Sequence, residues 1–191
     1  MGATVSALFL VILTVALLVG LWGLILYNGL VAARQECNRA WANIDVLLKQ
    51  RHDELPRLVD VCKAYMAHER GTLEAVVAAR ARLSEARTVP AQARASEGVS
   101  GAVRHLFAVV EGYPDLKANE SFVKLQGRIT DLENQIADRR ELYNAAVTEW
   151  NTRLEQVPDM FVARAGKMTP RELWRAPDAE REAPRLAFTR S

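Results

Sequence analysis

The chain opens on an unbroken apolar run and then changes to a regular alternation of apolar and charged positions. Val5 to Tyr27 (VSALFLVILTVALLVGLWGLILY) carries no charge, and the first charged side chain is Arg34. At 1.5 Å per residue a helix over this run reaches about 35 Å, enough to cross a hydrocarbon core of about 30 Å with some tilt. A cleaved secretory signal needs a basic start and a shorter core of about 7–15 residues, and the run has neither. Trp22 and Tyr27 stand towards its C-terminal end, where aromatic rings favour the interface. Ala16 and Gly20 form a small-xxx-small pair suited to the approach of a second anchor, and so to a homo-oligomer.

Beyond the run, apolar residues recur at helical spacing. Leu30, Cys37, Trp41, Ile44 and Leu48 share one face, and Asp45, Lys49 and Asp53 read as a solvated ladder on another. Asp53-Glu54-Leu55-Pro56 reads equally as the start of a new helix with proline in its first turn and as a kink inside one long helix. A run to about Ala86 places Leu55, Leu58, Val59, Cys62, Tyr65, Met66, Leu73, Val76, Val77 and Leu83 on one side, with Arg80 laying its stem along the stripe and its head in water. Arg87 to Gly101 is rich in small residues and turn formers and predicts a connection. A shorter helix with Val99, Val103, Leu106, Phe107 and Val110 ends at Gly112-Tyr113-Pro114.

The longest regular element is expected next, with Phe122, Leu125, Ile129, Leu132, Ile136, Tyr143, Ala146 and Trp150 in phase, Arg139 interrupting once, and an end near Pro158. Such a face packs in bundle or coiled-coil fashion. With no strand or hairpin signal, the predicted fold is all-α: an N-terminal transmembrane helix followed by an antiparallel helical bundle of about four helices. The division expected is an anchor at 1–28, a bundle at 29–158 and a polar, flexible tail at 159–191, in which Trp174 and Phe188 stand out. If the helices alternate direction, Asn28 and Asn151 lie at the same end, and Met160-Phe161-Val162 meets the lipid headgroups and dips into them at most.

Composition alters this picture little. The 191 residues carry a net charge of +2, interleaved rather than striped, which argues against nucleic acid as a partner. Arg34, Arg39, Lys49 and Arg51 follow the span and no basic side chain precedes it, so the positive-inside rule places the N-terminus outside and the bundle in the cytoplasm. Cys37 and Cys62 fit apolar helix faces as free thiols. His52, His68 and His105 form no HExxH or other ligand spacing, no GxSxG elbow is present, and no histidine is placed by motif beside a thiol. No catalytic, cofactor-binding or metal-binding residue is identified, no cofactor is expected, and the chain does not read as an enzyme.

Tyr27-Asn28-Gly29-Leu30-Val31, Trp41-Ala42, Ile44-Asp45-Val46, Leu48-Lys49, Arg51, Asp53 and Pro56 with Leu58-Val59 resemble the signature of the LemA family. Ala67-His68-Glu69, Thr72 to Val76, Ala79-Arg80, Tyr113 to Asn119, Phe122, Leu125-Gln126, Glu133-Asn134, Ile136-Ala137, Arg140, Tyr143-Asn144, Ala146-Val147 and Asn151 extend the likeness over residues 27 to about 158. The resemblance implies one membrane helix and an antiparallel bundle in the bacterial inner membrane, with the N-terminus outside. It implies no catalytic residues. Magnetosome relatives are linked to building an intracellular membrane, and family genes often neighbour those of membrane proteases. The chain departs from the pattern after Val157-Pro158, where many members carry an apolar, Gly- and Phe-rich ending.

Two functional readings follow. The first is a non-enzymatic, membrane-anchored helical scaffold or interaction protein in membrane organisation or envelope maintenance, with the lipid bilayer and unidentified proteins as partners. The second is a regulatory subunit or adaptor of a membrane enzyme such as a protease.

Overall fold

The computed structural model describes residues 2–175. The helices among them are α1 (Gly2–Lys63), α2 (Arg70–Glu85), α3 (Val89–Val110), α4 (Pro114–Lys117), α5 (Glu120–Glu155) and α6 (Asp159–Ala165), with no strand among the described residues. The all-α expectation is met, with four long helices and two short ones. The longest is α1 rather than α5, because the apolar run and the first amphipathic stretch form one helix of 62 residues.

Along that helix the burial pattern changes. Side chains from Leu8 to Ile25 are exposed all round, Phe9 and Leu17 at 66% and 67%. Thr14, a polar residue inside this stretch, donates its hydroxyl to the Leu10 carbonyl at 2.8 Å, which satisfies it without water. From Leu30 onward burial becomes periodic, taking in Cys37, Ile44, Leu48, Leu55, Leu58 and Cys62.

Pro56 lies inside α1, so of the two readings the one realised is a single long helix that continues through the proline. A proline has no N–H and leaves the carbonyl four residues earlier without its donor. That carbonyl belongs to His52, and Arg80 from α2 supplies the donor, Nε–H to oxygen at 3.0 Å. Arg80 therefore does not hold its head in water as expected from its place on the stripe. It repairs the proline defect in its neighbour.

The first break falls at 64–69, not near Pro56. There Asn119 donates to the Tyr65 hydroxyl, and the Tyr113 hydroxyl donates to Glu69. The apolar phase that runs on through this segment hides the break, because Met66 in the turn is as buried as Cys62 before it. Tyr65 and Val77, expected on the buried side, are exposed.

The expected connection over Arg87 to Gly101 is also corrected. Thr88 caps α3 by accepting from the Ala91 N–H, Pro90 sits in the first turn, and only 86–88 separate the helices. The small residues here are packing surface: Ala93 and Ser96 are buried. At the other end Asn119 caps α5 through the Phe122 N–H at 3.1 Å.

The described chain comprises two compact units. One contains residues 42–142, with Leu55, Leu58, Met66, Val76, Leu106, Leu116, Phe122 and Ile129 at its centre. The other contains residues up to Trp41 together with Tyr143–Arg171. In it, Gly29 meets Arg153, Cys37 meets Ala146 and Trp41 meets Tyr143, so numbers fall on α5 as they rise on α1 and the pair is antiparallel. Asn28 and Asn151 accordingly lie at the same end of it. Trp41 is half-buried, edge-on to Tyr143 with centroids 5.4 Å apart, and Arg139 is exposed rather than in the seam.

The segment expected as a polar tail is structured over its described part. After α6, the Trp150 indole donates to the Thr169 carbonyl, and Asn151 exchanges two hydrogen bonds with the Arg171 backbone. Trp174 is buried, with the Arg140 guanidinium 5.9 Å from its ring centroid. Phe188 lies outside the described residues.

Candidate functional site

The strongest concentration of buried polar chemistry is centred on Arg51. Ile44, Leu48, Arg51, Leu55 and Leu58 follow one another at three- and four-residue spacing, so Arg51 occupies a core position of α1, and it has no exposed surface. An unpaired charge there would be costly. Its Nη1 donates to Glu133 Oε1 on α5 and to Ser100 Oγ on α3 at 3.1 Å, while Nη2 donates to Ser96 Oγ at 2.7 Å. Ser100 stands one turn after Ser96 and donates to the other Glu133 oxygen at 2.6 Å. Nε is buried and has no hydrogen-bond partner among the described residues.

This arrangement ties α1, α3 and α5 together. Both Glu133 oxygens and the Ser100 hydroxyl are engaged within the cluster, a geometry suited to holding helices rather than to attacking a substrate. Ser96, Ser100 and Glu133 also border a groove of about 320 Å³ between α3 and α5, floored by Val103, Phe107 and Ile136. Its rim carries Glu97 between Arg104 at 3.6 Å and Arg140 at 3.9 Å, charges that are mutually compensated but loosely held.

A second cluster lies in the other unit. Arg153 on α5 donates Nη1 to the Gly29 carbonyl at 2.9 Å and Nε to Asp159 Oδ2 at 2.7 Å. Gly29 makes room for it, since a Cβ there would lie 2.8 Å from Arg153 Nη2. The same contact joins the start of α6 to α1 through a single side chain. Cys37 donates its thiol to the Ala146 carbonyl at 3.2 Å.

Both cysteines are buried and free. Burial pushes the Cys62 thiol up to about 11. It raises Cys37 as well, against the opposing pull of nearby Arg171. Neither environment favours a reactive thiolate. His68 and His105 are exposed, and His52 is half-buried beside Asp53 and Arg80. Among the described residues no three His, Cys, Asp or Glu side chains are grouped so as to hold a metal ion.

The sequence places Arg51 among the basic residues after the span and, with Glu133, among the family-like positions, but does not show that Arg51 is buried against Ser96, Ser100 and Glu133. The available signal was its slot between Leu48 and Leu55, where a charge can persist only if a partner is delivered from elsewhere. Nothing in the local pattern marked the Arg153–Asp159 pair, which is made by the turn between α5 and α6.

Comparison with known proteins is consistent in kind. A family model described as the LemA family matches residues 40–188. Magnetosome protein MamQ 2 of Paramagnetospirillum magneticum is 33% identical over 69 residues, 36% of this chain and 25% of that protein. Magnetosome protein MamQ of Magnetospirillum gryphiswaldense is 29% identical over the same length and shares. Protein LemA of Metamycoplasma hominis is 27% identical over 131 residues, 66% of this chain and 58% of that protein. The chain thus spans a quarter of the magnetosome relatives it matches and somewhat over half of the LemA relative.

Proposed function

Because the chain belongs to the LemA family, we propose that it is a membrane-anchored helical scaffold that performs no chemistry of its own and acts by tethering helical units to the bilayer. The observation that carries this is the change in burial along α1, exposed on all sides through its apolar half and striped with buried residues thereafter. The apolar half is long and apolar enough to cross a membrane, and Arg51 and Arg153 lie in clusters that brace α1 to other helices. Similarity to proteins named for the magnetosome supports a role in membrane organisation.

The basic residues after the span support an orientation with the N-terminus outside and the bundle in the cytoplasm of a bacterial inner membrane. A membrane-impermeant maleimide applied to intact cells lacking the native thiols is expected to label Gly2→Cys and to spare Val123→Cys. The reverse pattern overturns the orientation.

The groove between α3 and α5 favours a second reading, an adaptor that presents this surface to a membrane enzyme. Purification of the full chain in mild detergent, with mass determination and identification of co-purifying chains, separates the two. A self-associated or mixed structural assembly supports the scaffold. A stoichiometric catalytic subunit supports the adaptor, and a hydrolytic activity intrinsic to the pure chain overturns both.

A further inference from the structure

We propose that the turn between α5 and α6, together with the start of α6, is a second membrane-contact element, in which Val157 and Phe161 enter the headgroup layer of the bilayer that α1 spans and neighbouring cations engage anionic lipid phosphates. The inference rests on the reading of α1 as a membrane anchor and does not depend on which way the protein faces.

The register of the α1–α5 pair sets the level of the turn. Gly29 faces Arg153 in the antiparallel α1–α5 pair, and Cys37 faces Ala146. Extending the same ladder two residues beyond Arg153 places Glu155, the last residue of α5, level with Tyr27, the last residue of the apolar run. Packing against α1 reaches this level, because Leu26 is half-buried while its neighbours Leu24 and Ile25 are both 61% exposed. The run is roughly 35 Å long and a hydrocarbon core about 30 Å thick, so its final turn lies in the interface. The α5–α6 turn therefore stands at the membrane boundary.

At that boundary the turn presents apolar surface outward. Val157 is 69% exposed and Phe161 62%, values matched among the described residues by the lipid-facing positions of α1 rather than by the other large apolar side chains outside it. Phe161 could have been turned inward, as Ala163 is on the same short helix, and Val157 lies exposed in the turn before it. The turn is also held in place, since Asp159 is fixed to Arg153 and Arg153 to the Gly29 carbonyl. Charge at the turn itself agrees with the assignment: Arg164 and Lys167 are exposed beside it with Glu155 as the exposed acid, while Arg34, further along α1, is accompanied by exposed Glu36 and Glu149. Apolar side chains flanked by cations bind a lipid interface by burial and by attraction to anionic headgroups. Continuity with the anchor selects the bilayer over a protein partner.

The test uses the full chain with both native cysteines replaced by alanine. Single Val157→Cys and Phe161→Cys variants are labelled with an environment-sensitive fluorophore and reconstituted into phosphatidylcholine–phosphatidylglycerol vesicles carrying nitroxide lipids of shallow or deep placement. Leu17→Cys reports the anchor, and Val123→Cys reports exposed surface of the other unit. Labels at 157 and 161 are expected to shift to the blue and to be quenched by the shallow nitroxide more than by the deep one. The label at 17 should be quenched by the deep nitroxide, and the label at 123 by neither. Replacing phosphatidylglycerol with phosphatidylcholine, or combining Arg164→Gln with Lys167→Gln, should reduce the quenching at 157 and 161 and leave that at 17 unchanged. Emission at 157 and 161 indistinguishable from 123, with 17 still quenched, overturns the proposal alone. Loss of quenching at 17 as well overturns the anchor on which it rests.

Discussion

Arg51 and Arg153 each hold a carboxylate across a helix pair, yet they do so in different surroundings. Arg51 is fully buried and uses Glu133, Ser96 and Ser100, four groups in all counting itself, on three helices. Arg153 keeps 24% of its side chain exposed and uses Asp159 and one backbone carbonyl. The first sits in an apolar core where the cost of an unpaired ion is high, so it must be satisfied by side chains that the fold brings together. The second keeps its guanidinium partly in water, although Asp159 is buried, and a simpler contact suffices. The contrast predicts that burial of the guanidinium, more than the pairing itself, sets how much each arginine matters.

Breaking Arg51's ring should therefore have the largest effect. Glu133→Leu leaves the guanidinium buried without its counter-charge and is expected to cost about 3–5 kcal/mol in denaturant unfolding of the detergent-solubilised chain. The double variant Arg51→Met with Glu133→Leu should recover most of that loss, since an apolar pair of similar volume removes the stranded charge. If the double variant is as unstable as the single one, the cluster is needed for more than charge balance.

In the other unit Arg153→Ala is expected to cost about 1.5–3 kcal/mol, the range for hydrogen bonds to a charged group, with a smaller gain from rebuilding than at Arg51. A loss equal to that of Glu133→Leu, measured on the same scale, would erase the distinction drawn from burial.

The two thiols sharpen the same contrast. The Cys62 thiol is raised above the ordinary 9.0 to about 11, so its neutral form is favoured by folding. Its contribution is complete below about pH 9 and is lost as pH rises through 11, at about 1.4 kcal/mol per pH unit in that window. Arg171 opposes the rise at Cys37. In an alkaline titration with a thiol reagent, Cys37 should therefore react before Cys62, and equal rates or the reverse order would count against the assignment.

A further arginine tests whether repair of a backbone defect follows the rule. Arg80→Ala is expected to cost about 1–2 kcal/mol while Pro56 is present and distinctly less with Pro56→Ala, where the helix regains its own donor to His52. Additive costs in the four-variant cycle would show that Arg80 acts by other contacts. The smallest effects belong to Asp45→Asn and Lys49→Gln, both exposed, at under about 0.5 kcal/mol. If these melt like the parent yet fail to complement a deletion strain, their face of α1 is a recognition surface.

Much of this molecule was legible along the chain. The charge-free run announced a membrane-length helix by its dimensions, and the three–four spacing announced helices with buried Ile44, Leu55, Leu106, Ile129 and Trp150, because helical period and apolar transfer are local properties of a sequence. The errors share one cause. The break at 64–69 was hidden because Met66 is buried in a turn as it would be in a helix, and the start of α3 was hidden because small residues signal both turns and close packing.

What only the tertiary structure decided is the set of partners. Whether Pro56 ends a helix or lies inside it depended on Arg80 arriving from α2, since an orphaned carbonyl can be satisfied only by a donor already in place. Whether Arg51 could enter the core depended on Glu133, 82 positions away. The fate of Trp174, burial near Arg140 rather than exposure in a tail, depended likewise on a helix formed much earlier in the chain. Local sequence determines which residues seek burial and which groups need a partner, but the partner's identity is a long-range fact, fixed when folding brings distant positions within hydrogen-bonding distance.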